Sequence, residues 1–149
     1  MTKKKIKSRK VNKRHEARRC GVQILYQWQL TESMSKNVFA EYVNDNVLQS
    51  VDTDYLQVLF LGVTENITSI DEVVDGAIDR PMKLLNPVEL AILRQAVFEF
   101  VHCKDVPYKV VINEAVELAK EFGAQDGFKY INGVLNKLAK TLRALEFSK

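Results

Sequence analysis

Apolar side chains recur at steps of three and four residues along almost the whole chain, and no window of four or more residues alternates apolar with polar convincingly. A helix gathers i, i+3, i+4 and i+7 on one face, whereas a strand needs a period of two. The chain is therefore expected to be all-α, with six or seven helices and no sheet. From about Asn12, Ala17, Cys20, Gly21, Ile24 and Trp28 make a buried stripe, with Arg18, Val22 and Tyr26 along a neighbouring face. Ser35 reads as an N-cap for a helix carrying Val38, Phe39, Tyr42, Val43 and Val47. Asp52-Thr-Asp caps the next, whose face is Tyr55, Leu56, Leu59, Phe60 and Val63; Gly62 within it marks either a close helix crossing or a weak point in the helix. Ile67, Ile70, Val73, Val74 and Ala77 carry a helical period to about Asp79, with a bend expected near Thr68-Ser69. Asn86-Pro87 starts a helix to about Val101 that is apolar on most of its circumference, which belongs at a bundle's centre. Pro107 opens a helix that Gly123 stops. Asp126 or Gly127 begins the last, with a seam of Phe128, Ile131, Leu135, Leu138, Leu142 and Leu145.

At 149 residues the chain suits one domain and needs no metal or disulfide staple to hold it. Its apolar runs are too short to span a bilayer, and none follows the basic start as a secretory signal requires. A cytoplasmic location is the expectation. Cys20 and Cys103 sit among apolar neighbours without a Cys-x-x-Cys pairing, and read as buried small hydrophobes of a reducing compartment.

The net charge of +3 conceals a division. Residues 1–19 hold ten Lys/Arg and one acid, a net +9, while the other 130 hold twelve bases against eighteen acids, a net −6. Lysine repulsion should keep residues 1–12 an extended, mobile basic arm ahead of a helical domain over 13–149. Such an arm seeks polyanions. Catalysis has little support. His15 and His102 lie far apart, no phosphate loop, nucleophile elbow or metal-ligand pair occurs, and Glu114, Glu117 and Glu121 read as one solvated helix face. No metal or cofactor is expected. Nucleic-acid binding fares better: arginines neutralise phosphates and stack on bases, and Tyr26 and Tyr130 fall off the buried stripes as candidate faces for splayed RNA bases.

Four blocks carry a strong resemblance: Arg18-Arg-Cys-Gly-Val-Gln-Ile-Leu-Tyr-Gln-Trp-Gln-Leu30, Leu85-Asn-Pro-Val-Glu-Leu-Ala-Ile-Leu-Arg94, Asp105-Val-Pro-Tyr-Lys to Leu118-Ala-Lys120, and Phe128-Lys-Tyr-Ile-Asn-Gly-Val-Leu-Asn-Lys137. In this order and spacing the chain resembles the bacterial transcription antitermination factor NusB family, from about Arg14 to Arg143. The resemblance implies an all-helical fold of two helical subdomains. It also implies binding of boxA RNA jointly with NusE, a ribosomal protein of the small subunit. That assembly holds RNA polymerase in an antitermination complex, notably on ribosomal RNA operons.

Residue by residue, the resemblance implies RNA binding by Lys13, Arg14, Arg18, Arg19, Tyr26, Asp126, Lys129 and Tyr130. It implies partner binding by Tyr26 and Glu89. His15 and Ala17 interrupt the family's usual arginine cluster, and Lys3, Lys4, Lys5 and Lys7 lengthen the arm. A weak homodimer is left open. The alternative is a helical RNA-targeting module related to the N-terminal domain of ribosomal RNA methyltransferases, whose catalytic sheet is not expected within 149 residues. A helical adaptor with a solubility tail is the third reading.

Overall fold

The computed structural model describes residues 12–147, and the basic arm up to residue 11 lies outside them. Among the described residues there are eight α-helices, one 3-10 turn and no strand. The helices are α1 (Lys13–Gln29), α2 (Ser35–Asp45), α3 (Thr53–Glu65), α4 (Ile67–Asp75), α5 (Pro87–His102), α6 (Tyr108–Phe122), α7 (Gly127–Leu142) and α8 (Ala144–Phe147). The 3-10 turn spans Met82–Leu84.

Helix α5 occupies the centre, as its all-round apolar sequence requires. It packs against α1, α3 and α4 on one side and α6 and α7 on the other. The two expected subdomains therefore share one hydrophobic core, running from Ile24 and Leu25 through Phe60 and Phe100 to Ile131 and Leu135. Gly62 lets α3 and α5 approach: a Cβ there would stand 2.2 Å from the Phe98 ring. Gly21 does the same between α1 and α5, against the Gln95 amide.

Local signals acted largely as expected. The side chain of Asp52 accepts from the Tyr55 N–H at 3.0 Å, and that of Asn86 accepts from Val88 and Glu89 N–H groups at 2.9 and 3.4 Å. Four places differ. Met34, not Ser35, precedes the first turn of α2, without a side-chain cap; Val47 falls beyond that helix and is exposed. The α3–α4 break comes at Asn66, whose amide and backbone N–H groups close the carbonyl end of α3 at Gly62. Helix α4 then stops at Asp75 rather than Asp79. The last seam stops at Leu142, and Leu145 is exposed.

The cause of that final break is Arg143. Its buried guanidinium turns inward and donates to the carbonyls of Glu99, Phe100, Cys103 and Val106 at 2.8–3.2 Å. It thereby adds donors to carbonyls at and just beyond the end of α5, of which Glu99 and Cys103 also accept backbone N–H groups. Both cysteines are buried and free.

Candidate nucleic-acid interface

The basic residues of α1 lie around its circumference, and their environments separate them into two kinds. Lys13 and Arg14 are exposed at the start of the helix, with the Arg14 guanidinium 4.1 Å above the Tyr55 ring. Arg18 is only 4% exposed. Its Nε and Nη2 donate to the Glu99 carboxylate at 2.9–3.0 Å, and its Nη1 reaches Glu114 at 3.3 Å. Tyr55 donates its hydroxyl to the same Glu99. Burial opposes the Arg18 charge, but the Glu99 hydrogen bonds and the surrounding carboxylates outweigh it and push its pKa upward. Arg18, which the resemblance links to RNA, is thus a buried guanidinium bonded to Glu99, unlike the exposed Lys13 and Arg14.

Helix α6 supplies further counter-charges. Glu114 also receives His15 Nδ1 at 2.7 Å, and Glu121 pairs with Arg19 at 2.6 Å. The glutamates expected to form a solvated face instead fasten α6 to α1, with Glu117 alone of the three turned to Lys120 on its own helix. Arg19 is half-buried, its guanidinium 5.1 Å from the Phe122 ring.

Tyr26 is 36% exposed. It opens onto a groove of about 430 Å³ between α1, α2 and the α5–α6 side, with Gln23, Tyr42, Val88 and Phe122 in its walls. Glu89 begins α5 next to that groove, but it is 8% exposed and its Oε2 accepts from the Ala124 N–H at 3.3 Å. A Cβ on Gly127 would lie 2.0 Å from the same oxygen. Glu89, which the resemblance links to partner binding, is thus a buried carboxylate that holds the α6–α7 turn from inside.

That turn carries the other expected residues. Asp126 has φ 64°, the left-handed conformation, and starts α7. Lys129 approaches its carboxylate at 3.7 Å on the surface. Tyr130 is half-buried, packs against the core, and donates its hydroxyl to Asp79 at 3.2 Å. The Arg80 guanidinium lies 4.6 Å above the Tyr130 ring while its Nε donates to Asp79 at 2.8 Å. Arg80 holds Asp79 below the usual carboxylate range, while burial and the Asp79 charge push the Tyr130 phenol upward. Sequence reading missed Asp79 and Arg80. Their only signal was an Asp-Arg pair before Pro81 that serves no apolar face. It missed Glu99 too, although a lone acid between Phe98 and Phe100 in an apolar helix asks for a buried cation.

Among the described residues no cluster of histidine, cysteine or acidic side chains is arranged to hold a metal, and no helix is long and apolar enough to cross a membrane. The fold and its rim define a class: an all-helical domain with an exposed edge of arginine, lysine and tyrosine. Residues 15–140 match the family model described as the NusB family, and the chain belongs to that family. It is 47% identical to the transcription antitermination protein NusB of Colwellia psychrerythraea over 92% of this chain and 99% of that one. It is 48% identical to the protein of the same name from Shewanella amazonensis, over 87% and 96%. The solved structure of T. maritima NusB superposes with a TM-score of 0.76 at 24% identity, over 85% of this chain and 90% of that one, which is a likeness of fold.

Proposed function

We propose that this chain is a transcription antitermination factor that binds boxA RNA together with NusE and supports termination-resistant transcription, notably of ribosomal RNA operons. The observation that carries the reading is family membership over nearly the whole length; Asp126, Lys129 and Tyr130, which the resemblance links to RNA, stand together at the start of α7. In this reading the RNA meets Lys13 and Arg14, the basic residues ahead of them, and the rim of Lys129 and Tyr130. Phosphate contacts by the basic residues position the strand, and base contacts at the rim read it. NusE docks at the Tyr26 groove, with Glu89 acting through the turn it holds. The alternative, a methyltransferase-type targeting module, gains no observation of its own.

The test is a titration of labelled boxA RNA and a scrambled control, with and without NusE. Tighter binding of boxA by the pair than by either protein alone is the expected result, with a coupling of about 5–150-fold. Equal binding of both RNAs, or no effect of NusE, refutes it.

A further inference from the structure

The rim contains a stacking subsite of a different composition from the one its tyrosine suggests. Tyr130 packs against the core and bears the Arg80 guanidinium 4.6 Å over its ring. An incoming base therefore meets the arginine before the tyrosine. The guanidinium is held in place on two sides. Asp79 accepts from its Nε at 2.8 Å and its Nη2 at 3.4 Å, and the same carboxylate accepts the Tyr130 hydroxyl. One acid thus ties the arginine to the ring beneath it. The Arg80 side chain remains 47% exposed, and Pro81 restricts the backbone directly after it. Asp79 engages two nitrogens of the guanidinium, which leaves the Nη1 donors available to a phosphate while the plane stacks.

We propose that Arg80 is an RNA-contacting residue: its guanidinium, backed by Tyr130 and positioned by Asp79, is the surface on which one base of a single-stranded RNA stacks. The inference rests on the RNA-binding reading given above. It adds a residue and a recognition mode, a planar cation sandwiched between a protein ring and a nucleobase. Lysine cannot substitute, because an ammonium has no plane.

The experiment measures binding of the full chain with NusE to boxA RNA and to a series of the same RNA carrying one abasic position each. Circular dichroism and thermal unfolding confirm that each variant is folded. Arg80→Ala is expected to weaken binding of intact RNA by about 5–100-fold, the range of one stacked base. Arg80→Lys should retain the salt dependence of the native protein but recover little of the affinity. At one abasic position the native protein should lose a similar factor, and Arg80→Ala should lose nothing further. Native affinity in Arg80→Ala or in Arg80→Lys overturns the proposal, as does tighter binding by Arg80→Ala, which would make the uncovered Tyr130 ring the platform. If the native pair prefers boxA over the scrambled RNA in those cases, only the subsite is lost. If it shows no preference, the functional reading fails with it.

Discussion

Two clusters in this molecule have the same three components, an arginine, a tyrosine and a carboxylate, and opposite surroundings. In the first, Arg18 and Tyr55 converge on Glu99 beneath α1, α3 and α5, with the arginine 4% exposed. In the second, Arg80 and Tyr130 converge on Asp79 at the rim. Both arginines lie over their tyrosine, at 5.5 and 4.6 Å. In the buried cluster every partner has been taken out of water, so loss of one leaves an uncompensated charge. In the exposed cluster water replaces whatever leaves, so the same contacts are weakly held and open to exchange for a ligand. Burial, not chemical composition, separates an arginine that holds the fold from one that can serve binding.

The largest expected effect is on stability. Arg18→Ala should destabilise the chain by about 3–5 kcal/mol, read by urea unfolding, because Glu99 is left buried and unpaired. Arg80→Ala should change it by less than about 0.5 kcal/mol. Equal effects at the two sites would erase the distinction. The crossing of α3 and α5 that shelters the inner cluster gives a second measure. Gly62→Ala should cost about 1–3 kcal/mol, since the new methyl meets the Phe98 ring and α5 must shift.

Alkaline pH sharpens the comparison. Burial first, and then the Glu99 charge, raise the Tyr55 pKa far above its ordinary value near 10; burial likewise raises Tyr42. A group raised in the folded state contributes stability that is complete below its unfolded pKa and is lost as pH climbs beyond it. Unfolding free energy should therefore fall above about pH 10, by up to about 1.4 kcal/mol per pH unit for each such tyrosine. Tyr55→Phe should flatten that slope clearly and Tyr130→Phe only slightly. An unchanged slope in Tyr55→Phe would place the titrating group elsewhere.

The smallest effect concerns a boundary case between the two environments. Arg19 is half-buried and paired with Glu121. Glu121→Gln should free that guanidinium for RNA and tighten boxA binding by a factor of about two to five, consistent with an ion pair worth up to about 1 kcal/mol. Weaker binding in Glu121→Gln would mean that the pair orients Arg19 for the RNA.

The helices were legible because their causes are local. A period of 3.6, the caps at Asp52 and Asn86 and the proline at Pro87 act over a few residues, and the sequence states them directly. The central place of α5 followed from its all-round apolar surface, whereas Gly62 left a close crossing and a weak point both open until the Phe98 ring was seen packed against it. The boundaries that failed had distant causes. Leu145 fits the seam of α7 by spacing, yet the helix ends at Leu142, where Arg143 turns in to the carbonyl end of α5, about forty residues back in the chain.

The candidate site divides along the same line. Which residues are cationic or aromatic, and that Asp126, Lys129 and Tyr130 neighbour one another, can be read from the chain itself. So can the resemblance that links them to RNA. Which arginines remain available cannot. Arg14, Arg18 and Arg19 occupy one short stretch, and only the packing of α3, α5 and α6 decides that the first stays exposed, the second is buried on Glu99 and the third is shared with Glu121. Glu89 carried only a partner-binding role implied by the resemblance, and the fold makes it the inner support of a turn. Asp79 and Arg80 acquired a role only when the fold set Tyr130, fifty residues later, beside them. Periodicity and caps depend on neighbours in sequence, whereas the availability of a charge depends on what is packed over it, and that is settled by contacts between helices.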